Sequence, residues 1–108
     1  MVEKYNKLVR DNIPNIIKNS GKKVEYRVLN IKEYKEALKK KLIEEATELL
    51  GAKTRFSMME ELADIQEVLL AIYAVYGFRH QEIKNWGVKK AMLKGGFHKR
   101  YLLESVKE

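Results

Sequence analysis

The sequence predicts a mostly α-helical protein built on one long helical hairpin, and three observations carry that prediction. Leu38, Leu42, Glu45 and Leu49 fall at i, i+4, i+7 and i+11, and Glu61, Ile65, Val68 and Ile72 repeat the same 4-3-4 spacing, so each set occupies one face of a helix. A polar capping pair precedes each stripe and a glycine follows it. The loop between the stripes is short, which sets the two helices antiparallel. Two helices cannot bury both stripes alone, so a four-helix-bundle core shared with a second copy is expected, giving a homodimer or higher homo-oligomer.

In chain order, residues 2–10 alternate weakly and read as irregular. Asp11-Asn12-Ile13-Pro14 is a polar cap followed by proline in a first helical turn. That short helix carries Ile16 and Ile17 and stops by Gly21. Val24, Tyr26 and Val28 alternate with Lys23, Glu25 and Arg27, the period-2 pattern of a half-buried strand. Asn30 with Glu33 forms a capping box for the first long helix, and Gly51 is its stop. Residues 52–56 form the loop. Ser57 with Glu60 caps the second long helix, which ends at Gly77 and carries Met58, Leu62, Leu69 and Tyr76 beside its stripe.

A third long helix is expected over about residues 79–94, with Ile83, Trp86, Met92 and Leu93 available for burial. Gly87 weakens it by roughly 1 kcal/mol relative to alanine, and Gly95-Gly96 ends it. Residues 100–106 read as a short strand pairing with 24–28, which adds a small two-stranded β element to the all-α plan.

The 108 residues read as one domain. A chain of this size buries only about two thirds of its unfolded surface, which again favours self-association. With no cysteine there is no disulfide scaffold, thiolate zinc site or cysteine nucleophile. No apolar leader is visible. The longest uncharged apolar run, residues 68–78, falls short of the roughly 18 needed to span a membrane. A soluble cytoplasmic protein is expected. The 22 Lys+Arg against 15 Asp+Glu give a net charge of +7, which suits a polyanionic partner. The distribution says more. Residues 44–67 hold seven acids and two bases, so an acidic segment is set within a basic frame.

Both long helices place an acid on their own apolar stripe, and each repeats it three residues on: Glu45 with Glu48, and Glu61 with Asp64. Either pair alone is an ordinary solvated helix face, and Glu61 lies close enough to a helix start for the dipole to favour it. The conjunction is different. On facing stripes of an antiparallel hairpin four carboxylates converge, and their repulsion calls for a divalent cation. Oxygen-only ligands favour Mg²⁺, with Mn²⁺ as a substitute. Glu60 and Glu67 read as a cap and a surface residue. His80 and His98 are too far apart to form a helical ligand pair and read as loop residues. Tyr73, Trp86 and Phe97 read as core.

Glu44-Glu45-Ala46-Thr47-Glu48, followed after twelve residues by Glu61-Leu62-Ala63-Asp64, resembles the E-E-x-x-E…E-x-x-D motif of the MazG-like all-α nucleoside triphosphate pyrophosphohydrolases. The opening Tyr5-Asn6-Lys7-Leu8-Val9-Arg10-Asp11-Asn12-Ile13-Pro14 and the closing Lys94-Gly95-Gly96-Phe97-His98-Lys99-Arg100 resemble a phosphoribosyl-ATP pyrophosphohydrolase-like branch of that family. The resemblance implies Mg²⁺-dependent hydrolysis of a nucleoside triphosphate to the monophosphate and pyrophosphate, with house-cleaning of non-standard or excess nucleotides as the expected role. It implies Glu45, Glu48, Glu61 and Asp64 as metal ligands, and Glu44 as the catalytic residue that orients or deprotonates water. Lys7, Arg10, Lys94 and Arg100 lie in the flanking motifs and are candidates for substrate phosphate. Gly95 and Gly96 offer backbone N–H groups to the same phosphates, or serve simply as a helix stop. Where the family commonly has an acid this chain has His98, which is given no role.

Two alternatives stand beside this one. A true phosphoribosyl-ATP pyrophosphohydrolase of histidine biosynthesis would share every motif. A small basic nucleic-acid-binding helical protein would use Lys39–Lys41 and Lys89–Lys90 on phosphates, but gives no reason for acids on apolar stripes.

Overall fold

In the computed structural model, which describes residues 5–108, the regular structure is α1 (Ile13–Asn19), α2 (Ile31–Gly51), α3 (Arg55–Tyr76) and α4 (His80–Lys94). The all-α class predicted from the two stripes is the one observed. The chain divides into two compact units, Met1–Gly77 and Phe78–Glu108.

The first unit is the hairpin with α1. Pro14 sits in the first turn of α1, where its missing N–H costs nothing. Asn12 is the cap residue but makes no side-chain capping bond. Instead the Ile13 N–H donates to the Arg10 carbonyl at 3.0 Å. The helix ends as expected, with Gly21 in the left-handed region at φ 88°.

Residues 24–28 do not form a strand, and neither do residues 100–106; no strand occurs among the described residues. The reason is the want of a partner. Alternation shows that one face would be buried if a neighbour were present, but a single unpaired strand leaves its ladder unmade. Tyr26 and Val28 are exposed, as are Tyr101, Leu102, Leu103 and Val106. The 22–30 segment is tied to α2 by Arg27, whose Nη1 and Nη2 donate to Glu33 Oε1 and Oε2 at 3.2 and 2.9 Å.

Helix α2 begins with the predicted box: Glu33 N–H donates to Asn30 Oδ1 at 2.8 Å, and Asn30 N–H to Glu33 Oε1 at 3.3 Å. Gly51 is the last helical residue rather than a left-handed cap, and Ala52 follows in extended conformation. The start of α3 corrects the sequence reading. Thr54, not Ser57, is the cap: Ser57 N–H donates to Thr54 Oγ1 at 3.0 Å, and Thr54 N–H to Ser57 Oγ at 3.2 Å. Glu60 is exposed and is not the partner of a cap. Once a cap exists at Thr54, each further residue adds a helical bond, so the helix takes the earlier start. Gly77 ends it at φ 72°, as expected.

Helices α2 and α3 pack against each other. Residues facing one another in an antiparallel hairpin keep a constant sum of numbers, and Leu38–Val68 and Glu45–Glu61 share that sum. Leu38 and Val68 are the buried hydrophobic residues of the described chain. At the open end, Lys35 and Lys39 lie over the Tyr76 ring at 4.7 and 5.5 Å, contacts worth about 0.5–1 kcal/mol when exposed.

The second unit holds α4 and the C-terminal segment. Its helix has the predicted extent, with His80 as its first residue rather than in a loop. Glu82 Oε1 accepts from the Arg79 N–H at 3.0 Å to close the first turn. The expected burial does not occur: α4 has no buried residue, Trp86, Met92 and Leu93 are exposed, and Phe97 is 97% exposed. Among the described residues no helix is long and apolar enough to cross a membrane.

Candidate metal centre

Two overlapping groups of acids form on the hairpin. Glu45 of α2 meets Glu61 and Asp64 of α3, with one carboxylate oxygen from each lying within 4.8 Å of the others. Along α2, Glu44, Glu45 and Glu48 satisfy the same distance. The antiparallel register and the i, i+3 spacing together bring all four predicted ligands, and Glu44, around Glu45. A start at Ser57, as the sequence suggests, puts Glu61 in the first turn. With Arg55 as the first helical residue, Glu61 lies beyond that turn, where the dipole no longer accounts for an acid.

Glu45 is 5% exposed. Its Oε1 receives Lys41 Nζ at 3.3 Å, while its Oε2 and the Oε2 of Glu61 are buried with no hydrogen-bond partner. A buried carboxylate with an unsatisfied oxygen costs several kcal/mol unless something positive completes it. Both orphaned oxygens belong to the cross-hairpin group. An all-oxygen donor set with two free buried lone-pair sites fits a hard divalent cation such as Mg²⁺ or Mn²⁺.

The electrostatics agree. Desolvation first, then the close approach of the Glu45 and Glu48 carboxyls, push the Glu61 carboxyl up to about 7 from an ordinary 4.5. Without a cation, the group meets the cost of charge by holding its proton.

Basic residues surround the acids. Arg10 Nη2 donates to Asp64 Oδ1 at 2.7 Å, and Lys7 Nζ lies 3.4 Å from Glu44 Oε1. Both were expected from the N-terminal motif as phosphate ligands, and both sit on the carboxylates. Lys41 bridges Glu44 and Glu45, at 3.3 Å from each. Burial pulls its pKa down, but hydrogen bonding and attraction to the two glutamates outweigh this, and the net shift is upward. Sequence reasoning assigned Lys41 only to a phosphate-binding lysine run. The overlooked signal was its i, i+3 and i, i+4 spacing to Glu44 and Glu45.

Lys94, Gly95, Gly96 and Arg100 belong to the second unit. Lys94 is the last residue of α4. Gly95 has φ 81°, and its N–H donates to the Ala91 carbonyl at 2.8 Å, so this amide serves the helix end. Arg100 adopts φ 58° and its N–H donates to the Phe97 carbonyl at 3.2 Å. Comparison of the chain with protein-family models, with curated proteins and with solved structures gives no match.

Proposed function

We propose that the protein is a Mg²⁺-dependent nucleoside triphosphate pyrophosphohydrolase, releasing a nucleoside monophosphate and pyrophosphate. The observation that carries this is Glu45: a buried carboxylate with an orphaned oxygen, meeting Glu61 and Asp64 across the hairpin. The motif resemblance supplies the reaction, and the geometry supports it.

Glu45, Glu48, Glu61 and Asp64 would hold the cation. When bound, it neutralises part of the triphosphate's charge and polarises the anhydride under attack. Glu44 stands at the rim of the acids, half-buried and accepting from Lys41 and Lys7, where it can orient a water molecule and take its proton. Lys41 holds Glu44 and Glu45 in place through its two ion pairs. Lys7 and Arg10 bring positive charge to the edge of the site, where phosphate oxygens would lie. Hydrolysis of an anhydride by water needs no protein nucleophile, so positioning and electrostatics do the catalysis. For Lys94, Gly96 and Arg100 the motif resemblance is the support for a phosphate role.

The nucleic-acid alternative loses ground on the lysine run it relied upon. Lys41 is turned onto two glutamates and Lys39 lies over Tyr76, so residues 39–41 do not present a common basic stripe.

A homo-oligomer is part of the same proposal. Among the described residues the first unit buries the hydrophobic Leu38 and Val68, while Met58, Met59, Leu62 and Leu70 of α3 are exposed and a shallow apolar groove runs along Met59, Leu62, Ile65 and Leu69. Packing a second copy there would complete a four-helix core. Light scattering coupled to size exclusion should give a dimer or larger; a monomer at micromolar concentration refutes it.

The direct experiment is a panel of canonical and modified NTPs, dNTPs and phosphoribosyl-ATP with pyrophosphate detection, with and without Mg²⁺. Metal-dependent pyrophosphate release is expected, with a preference for non-standard or excess nucleotides. Turnover confined to phosphoribosyl-ATP would assign the biosynthetic alternative instead.

A further inference from the structure

The N-terminal segment does something at the acids that the phosphate role does not explain. Lys7 and Arg10 flank a short stretch that follows Asn6, itself in the left-handed region at φ 46°, and precedes α1. From this stretch Arg10 reaches Asp64 on α3 and Lys7 reaches Glu44 on α2. The segment therefore ties both helices of the hairpin at its acidic layer. Arg10 Nη2 donates to Asp64 Oδ1 at 2.7 Å, and Glu67 and Glu45 lie close enough to add attraction. Arg10 thus stands on a carboxylate that the proposed cation needs.

Exposure decides how tightly it stands there. The side chains of Arg10 and Asp64 are 56% and 36% exposed, and an ion pair in that setting changes an equilibrium by only about twofold to fivefold. Such a contact restrains the site without locking it. A cation arriving at Asp64 repels the guanidinium, and a triphosphate arriving with the cation offers it a stronger, bidentate acceptor.

We propose that Lys7 and Arg10 form a cationic strap that neutralises the acidic layer before ligand arrives and passes to the phosphates when the cation takes Asp64, so that metal and triphosphate bind with positive coupling. The proposal rests on the metal-centre reading above. It gives Arg10 two partners in succession, and makes the metal–triphosphate complex a better ligand than either component.

The test is calorimetric titration of the full chain with Mn²⁺ alone, comparing wild type with Arg10→Gln, and with Lys18→Gln as a control for loss of one charge in α1. Arg10→Gln should bind Mn²⁺ about threefold more tightly, Lys18→Gln should match wild type, and in an Asp64→Asn background the Arg10 substitution should bring no gain. With Mn²⁺ at saturation, inorganic tripolyphosphate should bind Arg10→Gln more weakly than wild type, by about threefold or more. Unchanged or weaker Mn²⁺ binding by Arg10→Gln, or an equal gain in the control, overturns the strap and leaves the metal centre standing. No Mn²⁺ binding by wild type overturns the metal centre and the strap with it.

Discussion

The hairpin contains two layers with the same geometry and opposite chemistry. Leu38 faces Val68, and two helical turns away, about 10 Å along the axis, Glu45 faces Glu61. The first pair is buried and apolar, as the stripe demands. The second occupies the same stripe, buries one carboxylate and leaves two oxygens without partners. Identical backbone support shows that the acids are not a by-product of helix ends or solvent-facing register. At that layer the stripe carries carboxylates where periodicity calls for apolar side chains, a local inconsistency of the kind that function would explain.

Removing the charge should separate the layers most sharply. Glu45→Gln and Glu61→Gln each keep the side-chain shape and should lower Mg²⁺-dependent pyrophosphate release by about 100-fold or more, with helix content by circular dichroism unchanged. Turnover retained in both variants would sink the site assignment.

Next in size is a stability contrast between the layers. Leu38→Ala should cost about 2–3 kcal/mol in urea unfolding, whereas Glu45→Leu in metal-free buffer should be neutral or stabilising, because an apolar side chain replaces a desolvated charge. Equal destabilisation by the two substitutions would mean that the acidic layer is ordinary core.

How far each layer could be read from sequence follows from what periodicity encodes. The stripes fixed the hairpin, its register and the meeting of Glu45, Glu61 and Asp64, because 3.6-residue geometry alone brings them together. The capping box at Asn30 and the stop at Gly77 are local chemistry and were equally legible. The strands at 24–28 and 100–106 were not, because alternation records a wish for cover without naming a partner. Trp86 and Phe97 depart from the core expected of them for a related reason: a large apolar residue is evidence of burial only where something lies over it. Lys41 was hidden inside a basic run whose total charge obscured its spacing to two glutamates.

A smaller effect, readable as a shift in melting temperature, comes from Glu61. Its folded carboxyl holds a proton up to about pH 7, against an ordinary value of 4.5. The folded chain therefore binds that proton more tightly than the unfolded chain does. Its contribution is greatest below pH 4.5, falls as pH rises towards 7, and is flat above. Glu33, lowered by its hydrogen bonds from Arg27 and from the Asn30 N–H, and Glu82, lowered by those from the Arg79 N–H and guanidinium, act in the other direction and only as pH falls below 4.5. In metal-free buffer the melting temperature of wild type relative to Glu61→Gln should drop between pH 4.5 and 7. Saturating Mn²⁺ should reverse that slope. A pH-independent difference between the two proteins would remove the electrostatic account of the acidic layer.

The smallest expected effect decides whether Glu61 is in fact an interior helical acid. If Thr54 caps α3, Thr54→Ala loses the acceptor for the Ser57 N–H and should cost about 1 kcal/mol, seen as a lower urea midpoint at unchanged slope. Glu60→Ala should then change stability by no more than a few tenths of a kcal/mol, since Glu60 closes no box. If instead Ser57 were the effective cap, the two results would exchange. Glu61 would fall back into the first turn, where the helix dipole welcomes a carboxylate without any ligand. The contrast between the two layers would then lose one of its supports. The cap at Thr54 leaves Glu61 with only its neighbours across the hairpin to explain its position, and those neighbours are themselves acids.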